Sequence, residues 1–206
     1  MSNHLLEIDD LHVSFFTPAG EVKAVNGVSY TLDQGKVLGI VGESGSGKSV
    51  SVNATMQLLV HPGRVTGGSI HFNGEDVVNM PLKRMQQIRG KDIGMIFQDP
   101  MTSLNPVYTV GNQLMETLRR HTNMNRAEAR ARSIEMLKLV GINNPEQRMK
   151  QYPHEYSGGM LQRAMIAMTL LCNPKLLIAD EPTTALDVTI QAQILELMKA
   201  LKEKIN

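Results

Sequence analysis

Residues 42–49 read Gly-Glu-Ser-Gly-Ser-Gly-Lys-Ser, and this stretch decides the fold class of the chain. It matches the pattern G-x-x-x-x-G-K-[S/T] at every fixed position. The apolar run Val37–Val41 comes directly before it and predicts a buried strand, and a helical stretch follows it. A Gly-Ser-rich surface turn is the alternative, but the complete pattern between a strand and a helix indicates a phosphate-binding loop.

The chemistry of this loop follows from its residue types. Glycines let backbone N–H groups turn inward around an anion, and the N-terminus of the next helix adds positive charge. Lys48 is expected to reach the β- and γ-phosphates of a nucleoside triphosphate such as ATP, and Ser49 to bind Mg²⁺. The candidate nucleotide-binding residues here are Gly42, Ser44, Gly45, Ser46, Gly47, Lys48 and Ser49.

The rest of the chain alternates short apolar runs with helical patterns. Residues 93–97 and 176–179 are apolar without polar alternation, which predicts strands buried on both faces, and Asn73-Gly74 predicts a hairpin. Asn125, with Glu128 three positions later, predicts a helix that Gly141 ends. Apolar stripes at 161–172 and 190–201 predict two more helices. The pattern predicts an α/β fold with a mainly parallel sheet.

A second group of candidate residues follows two of the predicted strands. Asp180 and Glu181 end the strand at 176–179, and Gln98 follows the strand at 93–97. Ligands of open α/β sheets sit at the carboxyl ends of strands. Asp180 would hold Mg²⁺ through water, and Glu181 would polarise an attacking water or accept its proton. Surface acids and a plain surface glutamine are the alternatives.

Composition limits the class of protein. The chain has 206 residues, a formal net charge of +1 and one cysteine, Cys172. The balanced charge gives no general attraction to nucleic acid, and a single cysteine suits a reducing compartment. No apolar run approaches the length of a membrane span, and the N-terminus lacks the features of a signal peptide. These features indicate a soluble, cytosolic protein.

A further motif is Tyr-Ser-Gly-Gly-Met-Leu-Gln-Arg at 156–163, which opens a helical stretch. Together with GESGSGKS, Gln98, LLIADEP and TALD at 184–187, it resembles the ATP-binding cassette (ABC) ATPases in identity, order and spacing. The resemblance covers essentially the whole chain. It implies a P-loop NTPase with a mainly parallel central sheet, an N-terminal antiparallel β subdomain and a helical subdomain at about 99–156.

The resemblance also assigns roles. In this family two ATPase domains pack head to tail, so Ser157, Gly158 and Gly159 would bind the γ-phosphate held by the partner's phosphate loop. This family usually has Leu and Gln where Tyr156 and Met160 stand, and neither change removes a backbone N–H donor. By the same resemblance, Asp187 would contact the opposite domain, and Gln98 would bind the metal and sense the transmembrane partner. Phe15 would stack on adenine, and Phe16 is the alternative residue for this role.

A narrower resemblance concerns "IFQDPMTSLNP" at 96–106 and "PHEYSGGMLQRAMIA" at 153–167. Both are similar to the ATPases of bacterial oligopeptide and dipeptide importers, a subgroup that includes nickel and glutathione importers. This implies a peripheral subunit at the cytoplasmic face of the inner membrane. Its partners would be a second ATPase subunit, in a hetero- or homodimer, the permease subunits and an extracytoplasmic binding protein. Nucleic acid would not be a partner. The transported substrate cannot be inferred from these residues.

The sequence ends at Asn206, before two features of the family pattern. A central strand and the switch histidine would follow, and the last histidine here is His154. We therefore expect residues 1–206 to be an incomplete ABC ATPase domain, poorly stable and nearly inactive alone. The alternatives are a truncated module that binds nucleotide without hydrolysis, and a non-transport ABC protein of DNA repair or translation.

Overall fold

The computed structural model describes residues 4–97 and 103–181, and the chain divides into two units, Met1–Arg89 and Gly90–Asn206. The first unit holds a four-stranded sheet in the order β2-β1-β3-β4, in which all neighbours are antiparallel. Its elements are β1 (Leu6–Thr17), β2 (Gly20–Leu32), α1 (Lys48–Thr55), β3 (Gly63–Phe72), β4 (Glu75–Asp76) and α2 (Leu82–Ile88). The antiparallel N-terminal β subdomain is thus confirmed.

Alternation of apolar side chains along β1 builds the core of this unit. Leu11 and Val13 are fully buried, and Val13 pairs with Val25 of β2 and Val65 of β3. The hairpin between β3 and β4 turns at Asn73 and Gly74, whose φ angles of 50° and 79° are the pair that a tight type I′ turn requires. The predicted Asn-Gly hairpin is therefore confirmed.

The segment Val37–Val41 differs from the prediction. It forms no strand, and Val37 and Val41 are 77% and 94% exposed. Among the described residues no strand pairs with it, so its side chains have no sheet neighbour to pack on. The prediction of a buried strand at this position is wrong for this structure.

The second unit contains a parallel strand pair and a group of helices. Strands β5 (Ile93–Ile96) and β6 (Leu176–Ala179) pair in parallel, with Ile93 opposite Leu176. All four residues of β5 are buried, as predicted for a strand covered on both faces, whereas Phe97 lies beyond the strand and is exposed. The helices are α3 (Val110–His121), α4 (Arg126–Leu139), α5 (Pro145–Arg148), a 3-10 turn (Pro153–Glu155) and α6 (Gly158–Leu170).

Local capping fixes where these helices begin and end. The Asn125 side chain accepts from the backbone N–H groups of Ala127 and Glu128, and the Glu128 carboxylate accepts from Asn125 N at 2.8 Å. Gly141, with a φ of 77°, lies just beyond α4. The capping box and the stop were both predicted and are confirmed. The predicted helix at 190–201 lies outside the described residues, and the subdomain bounds near 99 and 156 stay predictions.

Candidate functional site

The phosphate loop connects residue 41 to α1 and bends at two glycines. Gly45 and Gly47 have φ angles of 80° and 89°, in the left-handed region that L side chains rarely adopt. A Cβ atom on Gly47 would lie 2.4 Å from the backbone oxygen of Ala24 in β2. The sequence motif therefore needs glycine at position 47 for two reasons: the backbone angle and the close approach of the sheet.

Lys48, the first residue of α1, turns its ammonium group back onto the loop. Its Nζ donates to the backbone oxygens of Gly42 at 2.7 Å and Glu43 at 2.9 Å, and to Ser46 Oγ at 3.5 Å. All three acceptors are neutral, so the positive charge is held in place but not neutralised. This arrangement suits an incoming phosphate group, whose oxygens would replace weaker, neutral acceptors.

Ser49 follows Lys48 in the first turn of α1 and is half-buried. A hydroxyl beside a phosphate-binding ammonium is an oxygen donor of the type that Mg²⁺ prefers. The loop combines backbone N–H groups, the Lys48 ammonium and the Ser49 hydroxyl, and together these groups fit a magnesium nucleotide.

Arg89 supports α1 from its C-terminal end, and the sequence analysis missed it. Its Nε and NH2 donate to the backbone oxygens of Met56 and Gln57, each at 2.8 Å. These carbonyls belong to the end of the helix, where partners inside the helix run out. Burial lowers the pKa of Arg89, although arginine stays charged in any such setting. No local pattern reveals this contact, because 33 residues separate Arg89 from Met56.

The two candidate aromatic residues of β1 have different surroundings. Phe15 is half-buried and covers the Cα of Gly63 in β3, where a Cβ would approach its ring to 2.6 Å. Phe16 is 38% exposed, and the Arg64 guanidinium lies 4.2 Å from the centre of its ring. The ring of Phe16 thus already has a cation–π partner, while Phe15 is not a fully buried core residue. The assignment of Phe15 to adenine stays a prediction.

The acidic pair stands at the end of β6, as predicted. Asp180 is half-buried, and its backbone N–H donates to Ile96 O at 3.0 Å, which continues the β5–β6 ladder. Glu181 is exposed and has a φ of 47°. This left-handed backbone is uncommon outside glycine and costs on the order of 1–2 kcal/mol. Strain of this kind is concentrated at functional sites.

The Ser-Gly-Gly motif forms the N-terminus of α6. Ser157 is the N-cap residue, and its Oγ accepts from Met160 N at 3.3 Å, which confirms the predicted helix cap. Ser157 and Gly158 are exposed, and Gly159 is half-buried. A Cβ on Gly158 would meet no atom within 4 Å, and its φ is outside the left-handed region. Nothing within the described part of this chain therefore requires glycine at position 158.

Tyr156, which departs from the family pattern, anchors this helix start. Its side chain is buried, and its hydroxyl donates to the backbone oxygen of Arg148, the last residue of α5, at 2.9 Å. Burial raises the pKa of Tyr156 to about 12, so the hydroxyl remains a donor at neutral pH. The sequence analysis treated Tyr156 only as a tolerated change. A tyrosine at a helix entry, flanked by polar residues, was the available signal.

Two predicted site residues lie outside the described residues, namely Gln98 and Asp187. The phosphate-loop residues belong to the first unit, and Asp180, Glu181 and the Ser-Gly-Gly motif belong to the second. Within the second unit, the β5–β6 pairing brings Asp180 beside the end of the strand that leads to Gln98.

Comparison with known proteins agrees with these motifs. The sequence model of the ABC transporter family matches residues 25–184, and the chain belongs to this family. The "Oligopeptide transport ATP-binding protein OppD" of Bacillus subtilis is 60% identical over 203 residues, which cover 98% of this chain and 57% of that protein. The "Dipeptide transport ATP-binding protein DppD" of Haemophilus influenzae is 56% identical over 200 residues, 97% of this chain and 61% of that protein.

Among solved structures, a "post-hydrolysis state of the ATP-binding cassette MJ0796 bound to ADP and Pi", described as dimeric, has a TM-score of 0.85 and 27% identity. The match covers 97% of this chain and 83% of that one. The predicted fold class, a P-loop NTPase of the ABC type, is confirmed. The chain spans about three fifths of the length of the curated relatives it matches.

Proposed function

We propose that the protein is the ATP-hydrolysing subunit of a bacterial ABC importer for peptides or similar small solutes. The observation that carries this proposal is the Lys48 ammonium, which donates to neutral oxygens of the glycine loop and, in the described part of the chain, to no carboxylate. The names of the relatives, which are oligopeptide and dipeptide transport proteins, support the substrate class. The ADP and phosphate bound to the structural neighbour support the nucleotide.

The residues of the chain would divide the work of hydrolysis. Lys48 and the N–H groups of the loop would hold the phosphates, Ser49 and Asp180 would hold Mg²⁺, and Glu181 would orient the attacking water or accept its proton. When bound, ATP would supply the phosphoanhydride bond that is cleaved, and Mg²⁺ would supply positive charge that offsets the negative phosphate oxygens. Gln98 would complete the metal site and report on the permease. Most of the rate enhancement would come from positioning and charge neutralisation.

The Ser-Gly-Gly helix start would serve the nucleotide of a second ATPase subunit. Ser157 and Gly158 are exposed, and glycine at 158 leaves open space that the described residues of its own chain do not use. A glycine without a local steric reason is expected where another molecule approaches the backbone closely. ATP would then join two ATPase subunits head to tail, with Asp187 at their contact. The dimeric form of the structural neighbour supports this arrangement.

The proposed assembly adds permease subunits and an extracytoplasmic binding protein, with this subunit peripheral at the cytoplasmic face of the inner membrane. Within the described ranges, none of the helices is long and apolar enough to span a bilayer. Contact with the membrane would pass through the permease in this proposal. The second ATPase subunit would be a copy of this chain or a related chain, giving a homo- or heterodimer.

One observation favours a second candidate, a module that binds nucleotide without hydrolysing it. The segment 37–41, which leads into the phosphate loop, is exposed and forms no strand. A loop without a supporting strand holds phosphate less rigidly, and rigid positioning is most of this catalysis.

ATP binding and phosphate release, measured on the protein in membranes from its source cells, separate the two candidates. If the protein is the importer subunit, the unaltered chain should hydrolyse ATP. The Glu181→Gln variant should keep its affinity for nucleotide, and its rate of ATP hydrolysis should fall roughly 10²- to 10⁴-fold, as for loss of a general base. Lys48→Ala should lose both binding and turnover. Affinity without phosphate release in the unaltered protein would favour the second candidate, and absence of binding would reject both.

A further inference from the structure

Outside the nucleotide-binding motifs, the second unit contains an open cavity of about 320 Å³. Three of its lining residues are basic: Arg126 and Arg130 from the first turns of α4, and Lys150 just after α5. No carboxylate lines it among the residues that the structure describes. A concave surface with one sign of charge concentrates ligands of the opposite sign.

These cations are available for a ligand. In the described part of the chain, neither Arg126 nor Lys150 has a side-chain hydrogen bond or ion pair, and both are exposed. The pKa of Glu146 is lowered first by its own backbone hydrogen bond and also by Lys138 and Arg130. Glu146 itself pairs with Lys138 at 3.4 Å.

The other acid close in sequence, Glu128, is also engaged elsewhere. Its carboxylate accepts from the Asn125 backbone in the capping box, at 2.8 Å. The two carboxylates nearest to the basic cluster along the chain, Glu128 and Glu146, are therefore committed to local contacts. Arg126 and Lys150 therefore have no ion-paired acid among the described residues, and Arg130 acts on a carboxylate, that of Glu146, which pairs with Lys138.

Backbone contacts between α3 and residues 149–151 form one wall of the cavity. The first N–H groups of α3, from Val110 and Gly111, donate to the backbone oxygens of Gln151 and Met149 at 2.9 and 3.0 Å. A Cβ on Gly111 would lie 2.4 Å from Met149 O, so the backbones on either side of Lys150 are pressed against α3. Because these N–H groups are already bonded, an anion in the cavity would be held by the basic side chains.

We infer that this cavity, lined by Arg126, Arg130 and Lys150, is a docking site for an acidic segment of a partner protein, whose carboxylate side chains pair with the three cations. Met115 and Met149 add an apolar lining. Such a lining suits the methylene stem of a glutamate better than an inorganic phosphate ion. The cavity, at about 320 Å³, is larger than a single small anion needs. The inference does not depend on ATP turnover.

Carbodiimide cross-linking tests it, because this reagent joins a lysine amine to a carboxylate in direct contact as an amide, with the lost water taken up by the carbodiimide. The protein is treated in membranes from its source cells, and the Lys150 peptide is identified by mass spectrometry. We expect Lys150 to be linked to an aspartate or glutamate of another chain. Lys150→Arg keeps the charge and should lose the product.

Charge variants supply the decisive comparison. Arg126→Gln combined with Arg130→Gln should lower the cross-link yield roughly 2- to 30-fold, the range for the loss of two exposed ion pairs. Arg119→Gln removes an equally exposed charge from the last turn of α3 and should leave the yield unchanged. A yield unaffected by the double change, or links only to carboxylates of the same chain, would overturn the inference.

Two further probes separate other anion sources. Inorganic phosphate is titrated by calorimetry, and vesicles with an acidic phospholipid are sedimented with the protein. If phosphate or vesicles bind the unaltered protein, fail to bind the double variant, and no cross-link to another protein forms, the cavity is a small-anion or membrane site and the inference is wrong. Cross-linking to a protein carboxylate with weak, salt-screened binding of both probes would support it.

Discussion

Replacing Gly158 with alanine should separate the stability of this chain from its function. Gly158 is the first residue of α6, its φ is outside the left-handed region, and an added Cβ meets nothing within 4 Å. Alanine restricts the unfolded chain more than glycine does, so the change should stabilise the fold by about 0.4–1 kcal/mol. For a domain of this size that corresponds to a rise in Tm of up to about 4 °C.

The same methyl group should nevertheless impair hydrolysis. If a partner subunit's nucleotide lies against this helix start, the new Cβ occupies the space that its γ-phosphate oxygens need. Loss of a comparable anion-binding contact costs roughly 10²- to 10³-fold in rate. Thermal unfolding followed by circular dichroism, and phosphate release in source-cell membranes, measure the two effects.

Gly47→Ala is the matched control, because it places the same methyl group in the other glycine motif. There the φ of 89° and the 2.4 Å approach to Ala24 O make alanine strained. The left-handed backbone alone costs about 1–2 kcal/mol, so this variant should lose stability as well as activity. The reasoning is refuted if Gly158→Ala lowers Tm as Gly47→Ala does, or if it leaves the hydrolysis rate unchanged.

Three other predictions concern the second unit. Tyr156→Phe removes the hydrogen bond to Arg148 O and should lower the free energy of unfolding by about 1 kcal/mol in urea titrations; no loss would show that the bond is not formed. Burial, followed by the charges of Arg120 and Lys91, lowers the pKa of His121, so the free energy of unfolding should fall as the pH drops below 6.5 toward the lowered pKa. His121→Gln should reduce the difference in this free energy between pH 5.5 and pH 7.5, and an unchanged difference would contradict the prediction. Burial raises the pKa of Cys172, so iodoacetamide should modify it more slowly at pH 7.5 than an unfolded control, and equal rates would contradict this.

Structural features formed by residues close together in the sequence could be predicted from the sequence. The capping box at Asn125 and Glu128, the Asn73-Gly74 turn and the Ser157 cap depend on residues within a few positions, so their patterns sufficed. The strand at 176–179 was also predicted, because a short apolar run that follows a helical pattern and ends at two acids is typical of a strand. Its predicted burial on both faces is wrong for this structure, since only Leu176 is buried and Ala179 is exposed. The phosphate loop and the family followed from fixed residues at fixed spacings.

Contacts between distant segments could not be predicted in this way. The exposure of Val37–Val41 depends on which strand lies beside it, and an apolar run carries no information about its neighbour. Only the folded chain shows that Arg89 supports α1 and that Tyr156 reaches Arg148. The Arg126 and Arg130 spacing of one helical turn was visible in the sequence, but the cavity that gives it meaning forms only when Lys150 is brought to the same place.

The sequence by itself determined the chemistry predicted for the site, because a phosphate loop of this type has glycine, lysine and a hydroxyl residue in a fixed order. That order is visible in the sequence alone. Tertiary structure decided how that chemistry is held. The Lys48 charge faces neutral oxygens, and β2 presses on Gly47. Among the described residues, Gly158 faces open space. Distances and empty volume are properties of the packed chain, and no one-dimensional pattern contains them.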